Sequence, residues 1–144
     1  MIHQSLSFIE LNFSSSLAIL DLIQPIANRM GEQLGFSEDD RYWTWLAIQE
    51  ALNNAVRHGN KMEADKQVTF RIDMVDESLI IQVKDQGEGF DPESIPDPTA
   101  PDNLLKSSGR GLFYMYQFMD EVTIEIENGT MVTMIKRVPN AGSG

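Results

Sequence analysis

The stretch Ser37-Glu-Asp-Asp-Arg-Tyr-Trp-Thr-Trp-Leu-Ala-Ile-Gln-Glu50-Ala-Leu-Asn-Asn54-Ala-Val-Arg-His58-Gly59 is the best-defined helix in the chain. A serine hydroxyl is placed to cap it, and three acids follow where the helix dipole favours negative charge. Trp45, Ile48, Leu52 and Val56 fall on one stripe at helical spacing, the natural core face. Glu50, Asn54 and His58, four residues apart, form a second stripe on nearly the opposite side. The spacing predicts a helix running to Arg57 or His58, with Gly59 as a left-handed cap and Asn60-Lys61 leading away. The polar stripe has two readings. It is a solvated face, or, because Leu46, Ala47 and Ala51 share its side and lysine is absent there, it is a site. A carboxylate one turn from an amide oxygen suits metal-assisted transfer, the first as base and the second as ligand to a hard cation.

Upstream, residues 5–13 mix alternation with β-favouring types and predict a first strand; serines 14–16 then cap a helix over Leu17–Leu34. Pro25 is expected to kink or split that helix, and Gly35 to end it. Downstream, Val68, Phe70, Ile72 and Met74 alternate with polar residues, and Asp76-Glu77-Ser78 turns into Leu79–Lys84, an antiparallel pair with one buried face. Residues 85–108 lack periodicity and read as a long loop. A helix over Gly111–Met119 follows, then Val122–Glu127, an Asn128-Gly129 hairpin turn and Thr130–Val138. The order of elements predicts an α/β two-layer sandwich with a mostly antiparallel, mixed sheet covered by helices on one face. Residues 1–138 are expected to form a single domain and 139–144 a flexible tail. Trp43 and Phe8 are assigned to the core, with a dimer or partner interface as the alternative.

Composition narrows the chemistry. The chain has 144 residues and 22 acids against 11 bases, a formal charge of −11, which disfavours direct binding to nucleic acid or anionic lipid and suits a protein partner with a basic surface. It has no cysteine and only two histidines, which excludes disulfides and thiolate metal sites and makes a zinc enzyme a poor fit. No stretch reaches the length of a bilayer span and the N-terminus lacks a secretory pattern, so the expected location is cytoplasmic.

Two further motifs carry chemistry. Asp85-Gln-Gly87-Glu-Gly89-Phe ends a strand; its glycines permit a tight turn and close backbone approach, and its aspartate can accept from an amine, although such a turn can also be only a turn. Ser107-Ser-Gly109-Arg110-Gly111-Leu opens a helix whose free N–H groups make an anion site. Lys106 and Arg110 are the only bases between Lys84 and Lys136, whereas residues 85–102 hold six acids; the two cations either compensate a bound polyphosphate or balance nearby acids such as Asp102. The P-loop, the protein-kinase glycine loop and the dinucleotide fingerprint are all absent.

Together and in order, these motifs resemble those of the GHKL, or Bergerat-fold, ATPases, the superfamily of gyrase, MutL, heat-shock chaperone and histidine-kinase ATP domains. The first box resembles Glu50-Ala-Leu-Asn-Asn54-Ala-Val-Arg-His58-Gly59, the second Asp85-Gln-Gly87-Glu-Gly89-Phe, the third Gly109-Arg110-Gly111-Leu112, and Gly129-Thr130 stands at the last. The length, the lid at 97–105 and the Gly-Arg-Gly-Leu-Phe-Tyr-Met run are most similar to the anti-sigma-factor serine kinases. The resemblance covers residues 37–138 and implies ATP and Mg2+ as cofactors, with Glu50 as general base and Asn54 as magnesium ligand. It implies that Asp85 recognises the adenine amino group, that Gly87 and Gly89 form the turn beneath the base, and that Gly109, Arg110 and Gly111, with Lys106, hold phosphate. The Thr130 hydroxyl is then expected to support Asp85. The implied phosphoacceptor is a STAS-type anti-anti-sigma protein and the implied target a sigma factor, with a homodimer left open. The competing readings are an ATP-binding regulatory module without catalysis and a histidine-kinase fragment; the latter lacks a helix carrying a phosphoacceptor histidine.

Overall fold

A computed structural model describes residues 7–87 and 111–139, with residues 111–114 described as backbone only. Strand β1 spans Phe8–Ser14. Ser16 caps a 3-10 turn over Leu17–Ile19, its hydroxyl accepting from the Ala18 N–H, and helix α1 follows over Leu20–Leu34. Pro25 does not split α1. Asp21, Leu22 and Pro25 all lie on the exposed side, where water can donate to the Asp21 carbonyl in place of the missing proline N–H. Gly35, at φ 87°, ends the helix as expected.

Helix α2 spans Glu38–Asn53, and the Ser37 hydroxyl caps it by accepting from the Asp40 N–H at 3.0 Å. Its last turn departs from expectation: Asn54–Gly59 winds as a π-helix, closed by the Asn60 N–H on the Ala55 carbonyl at 2.8 Å. Gly59 is therefore not the left-handed cap. Lys61 and Met62, at φ 52° and 58°, take that conformation instead. Strands β2 (Gln67–Val75) and β3 (Ser78–Lys84) form the expected hairpin. Helix α3 (Gly111–Phe118) leads into β4 (Glu121–Ile126) and β5 (Thr130–Arg137), joined through Asn128 and Gly129, both at positive φ as a primed hairpin turn requires.

The strand order is β1-β2-β3-β5-β4. Among the described residues every pairing is antiparallel, which corrects the expectation of a mostly antiparallel, mixed sheet, while the two-layer α/β class holds. Two apolar rows cross the whole inner face in register: Ile9, Ile72, Ile81, Met134 and Val122, then Leu11, Phe70, Val83, Val132 and Ile124. Helices α1 and α2 pack on this face, and α3 packs on α2. Ile48, Leu52 and Val56 are fully buried against it, as the periodicity implied, and Trp45 lies half-buried at its margin. Ala47 and Ala51 are buried too, so α2 is enclosed on two sides. Trp43 and Phe8, in contrast, are 37% and 48% exposed, which corrects their assignment to the core. Trp43 stacks on Phe118 of α3 at 4.4 Å between ring centroids, and Phe8 lies beneath the Arg71 guanidinium at 4.1 Å.

Candidate nucleotide-binding site

Because the second side of α2 is covered, Glu50 and Asn54 are half-buried rather than solvated, whereas His58 is exposed. Asn54 opens the π turn, and its Oδ1 is, among the described residues, the one buried side-chain oxygen or nitrogen without a hydrogen-bond partner. Such an atom costs about 1–3 kcal/mol unless something fills its lone pairs. A hard cation is the natural occupant of a neutral amide oxygen beside a carboxylate. π turns themselves recur at functional sites, where the extra residue redirects the chain that follows.

Here the redirected chain is Gly59, which is pressed against the side chain of Asp85. A Cβ at Gly59 would overlap Asp85 Oδ2; one at Gly87 would overlap the Gly59 carbonyl; one at Gly129 would overlap the Asp85 carbonyl. Gly59 thus packs on the Asp85 carboxylate, Gly129 on its backbone carbonyl, and Gly87 on Gly59, so each contact needs a residue without a side chain. Asp85 is only 5% exposed. Its Oδ1 accepts from the Gly87 N–H at 2.9 Å and the Thr130 N–H at 3.1 Å, and its own N–H donates to the Thr130 carbonyl at 3.0 Å. Oδ2 carries no hydrogen bond from the described residues and lies against Gly59. Burial pushes the Asp85 carboxyl above its ordinary value of 3.8, against the two backbone donors and the Lys66 charge, which pull the other way.

Thr130 therefore supports Asp85 through its backbone rather than through the expected hydroxyl. Gly111 is the first residue of α3. Gly89, Lys106, Gly109, Arg110 and the lid at 97–105 lie outside the described residues. Sequence reasoning passed over Asn60, which is fully buried. Its amide donates to the Ser15 hydroxyl and the Gln67 carbonyl, both at 2.9 Å, and accepts from the Gln86 N–H at 2.7 Å. Only its place directly after the first box could have drawn attention to it.

A helix-borne carboxylate and amide, a glycine-packed aspartate at the end of a strand and an antiparallel sheet behind both define a nucleotide-binding domain of the Bergerat class. The chain belongs to the histidine kinase-like ATPase domain family, whose model matches residues 13–136. It is 31% identical over 138 residues to the serine-protein kinase RsbW of Staphylococcus epidermidis, a match covering 91% of this chain and 87% of that protein. To RsbW of Bacillus licheniformis it is 30% identical over 135 residues, covering 90% and 84%. The fold is shared with a crystal structure of the RsbU and RsbW domains of a Mycobacterium tuberculosis protein, at a TM-score of 0.62 and 17% identity. That match covers 92% of this chain and 33% of the longer one. This kinship makes the chain an ATP-binding kinase domain of the GHKL type.

Proposed function

We propose that this chain is an ATP- and Mg2+-dependent serine/threonine protein kinase acting as an anti-sigma factor in the cytoplasm. It phosphorylates a STAS-type anti-anti-sigma partner and holds a sigma factor inactive. The observation that carries the reading is the orphaned Asn54 Oδ1, one helical turn from Glu50 on the helix whose end abuts the buried Asp85.

In this reading Asp85 Oδ2 accepts from the adenine amino group while Oδ1 stays fixed by Gly87 and Thr130. Gly87 and Gly89 lie beneath the base, and Lys106, Gly109, Arg110 and Gly111 hold the phosphates. Asn54 Oδ1 fits a magnesium ion, which when bound supplies charge neutralisation across the phosphates. Among the described residues no three His, Cys, Asp or Glu side chains gather to hold a metal, and Asn54 is the residue that would hold the ion. The Glu50 carboxylate takes the proton from an incoming serine or threonine hydroxyl as its oxygen attacks the terminal phosphorus, and ADP leaves. The cytoplasmic assignment is supported by the proposed partners and by the lack, among the described residues, of a helix long and apolar enough to cross a membrane.

The test is incubation of the protein with labelled Mg·ATP and the STAS-type proteins of its own cell. Label is expected on a partner serine or threonine. Glu50→Ala should retain Mg·ATP binding while transfer falls by about a hundredfold or more. Transfer that survives in Glu50→Ala removes Glu50 as base, and a tight complex without label makes the chain a binding module.

A further inference from the structure

Three chain segments converge on one buried side chain outside the proposed chemistry. Asn60 closes the π turn with its backbone N–H on Ala55, while its side-chain amide reaches the end of β1 at Ser15, the start of β2 at Gln67 and the residue next to Asp85. Ser15 in turn donates its hydroxyl to the Lys66 carbonyl at 2.6 Å. Both amide donors of Asn60 are used and its oxygen is engaged, so a ligand contact is not its role.

The bond to Gln86 is the informative one. Gln86 is an exposed residue, so water could satisfy its N–H. Instead that N–H points inward at 2.7 Å to the Asn60 oxygen, and the Gln86 side-chain oxygen accepts from the Gln67 N–H at 2.7 Å. The turn holding Asp85 is thereby pinned at two points, one of them adjacent to Gly59, whose surface the Asp85 carboxylate touches. We propose that Asn60 is a positioning residue for the nucleotide site: it locks the 85–87 turn onto the end of the π turn and sets where the Asp85 carboxylate stands relative to Asn54. This rests on the reading of Asp85 as the adenine acceptor.

The test compares Asn60→Ser, which is too short to reach the Gln86 N–H, with Asn60→Asp, which keeps an oxygen there. Affinities for ATP and for adenosine are measured by calorimetry, beside kcat and KM for ATP. Asn60→Ser should weaken both ligands by about tenfold, raising KM while kcat stays within about threefold. Asn60→Asp should bind adenosine within about threefold of the wild type even if it melts earlier. Wild-type adenosine affinity in folded Asn60→Ser overturns the proposal, as does an equal loss in Asn60→Asp. Amide exchange on the wild-type protein serves if the variants do not fold: Gln86 N–H should be protected without nucleotide and more so with adenosine, and exchange at an unprotected rate overturns the proposal. Asp85→Asn is run in parallel. If it keeps adenosine affinity, the adenine reading itself fails; if it loses affinity while Asn60→Ser does not, only the role of Asn60 falls.

Discussion

Asn54 and Asp85 each carry a cost in the unliganded protein. Removing the Asn54 oxygen removes an unsatisfied buried acceptor, so Asn54→Ala should leave nucleotide-free stability unchanged or raise it by about 1 kcal/mol in urea melts, while ATP affinity loses its dependence on Mg2+. Asp85 is buried, and the two backbone donors and the Lys66 charge offset that burial only in part. Its native carboxyl binds a proton more tightly than the unfolded chain does, so nucleotide-free stability falls as pH rises from 3.8 through the raised native value. Nucleotide affinity should run the other way and weaken as pH drops through that value, because the neutral acid is a poorer acceptor for an amine. Asp85→Asn should accordingly melt higher than the wild type without nucleotide at neutral pH and bind ATP at least about a hundredfold more weakly, as calorimetry would show. A rise of ATP affinity on acidification would contradict both statements. At this scale the sequence revealed the residue types and their spacing. The pairing of Thr130 with Asp85 was foreseen only as a hydroxyl contact, because residue identity does not report what a backbone N–H does.

Among the elements, α2 was legible because a cap, first-turn acids and an apolar stripe all agreed. Ser37→Ala should cost about 1 kcal/mol of unfolding free energy, read by urea denaturation, with nucleotide affinity unchanged because the cap lies at the opposite end of α2 from Asn54. The two hairpins were equally legible: alternation marked their faces and Asn128-Gly129 the reversal. The π turn was not. It arises where the chain after Asn54 must bring Gly59 onto Asp85, a contact between residues far apart in sequence that local propensity does not encode. Pro25 does not split α1, since on the exposed side water can donate to the carbonyl that the proline leaves without a partner. Trp43 misled because an aromatic can stack at the margin of a helix pair and remain partly exposed.

For the whole molecule, the alternating apolar rows dictated a sheet with one covered face, and the absence of cysteine left that core as the main source of stability. Bound nucleotide should therefore register as a global effect. Mg·ATP at a hundred times its dissociation constant should add about 2.7 kcal/mol to the unfolding free energy, seen as a higher melting temperature that EDTA lowers. The strand order carries a further consequence in time rather than space. β5 lies between β3 and β4, yet among the strands it leaves the ribosome last. Until residues 129 and 130 emerge, β3 has an open edge, and Asp85 lacks one of its two backbone donors and the glycine packed on its carbonyl. On the proposed reading of Asp85, a nascent chain that already contains Glu50, Asn54 and Asp85 should not yet hold a nucleotide, and ligand capture during synthesis should wait for the closing hairpin.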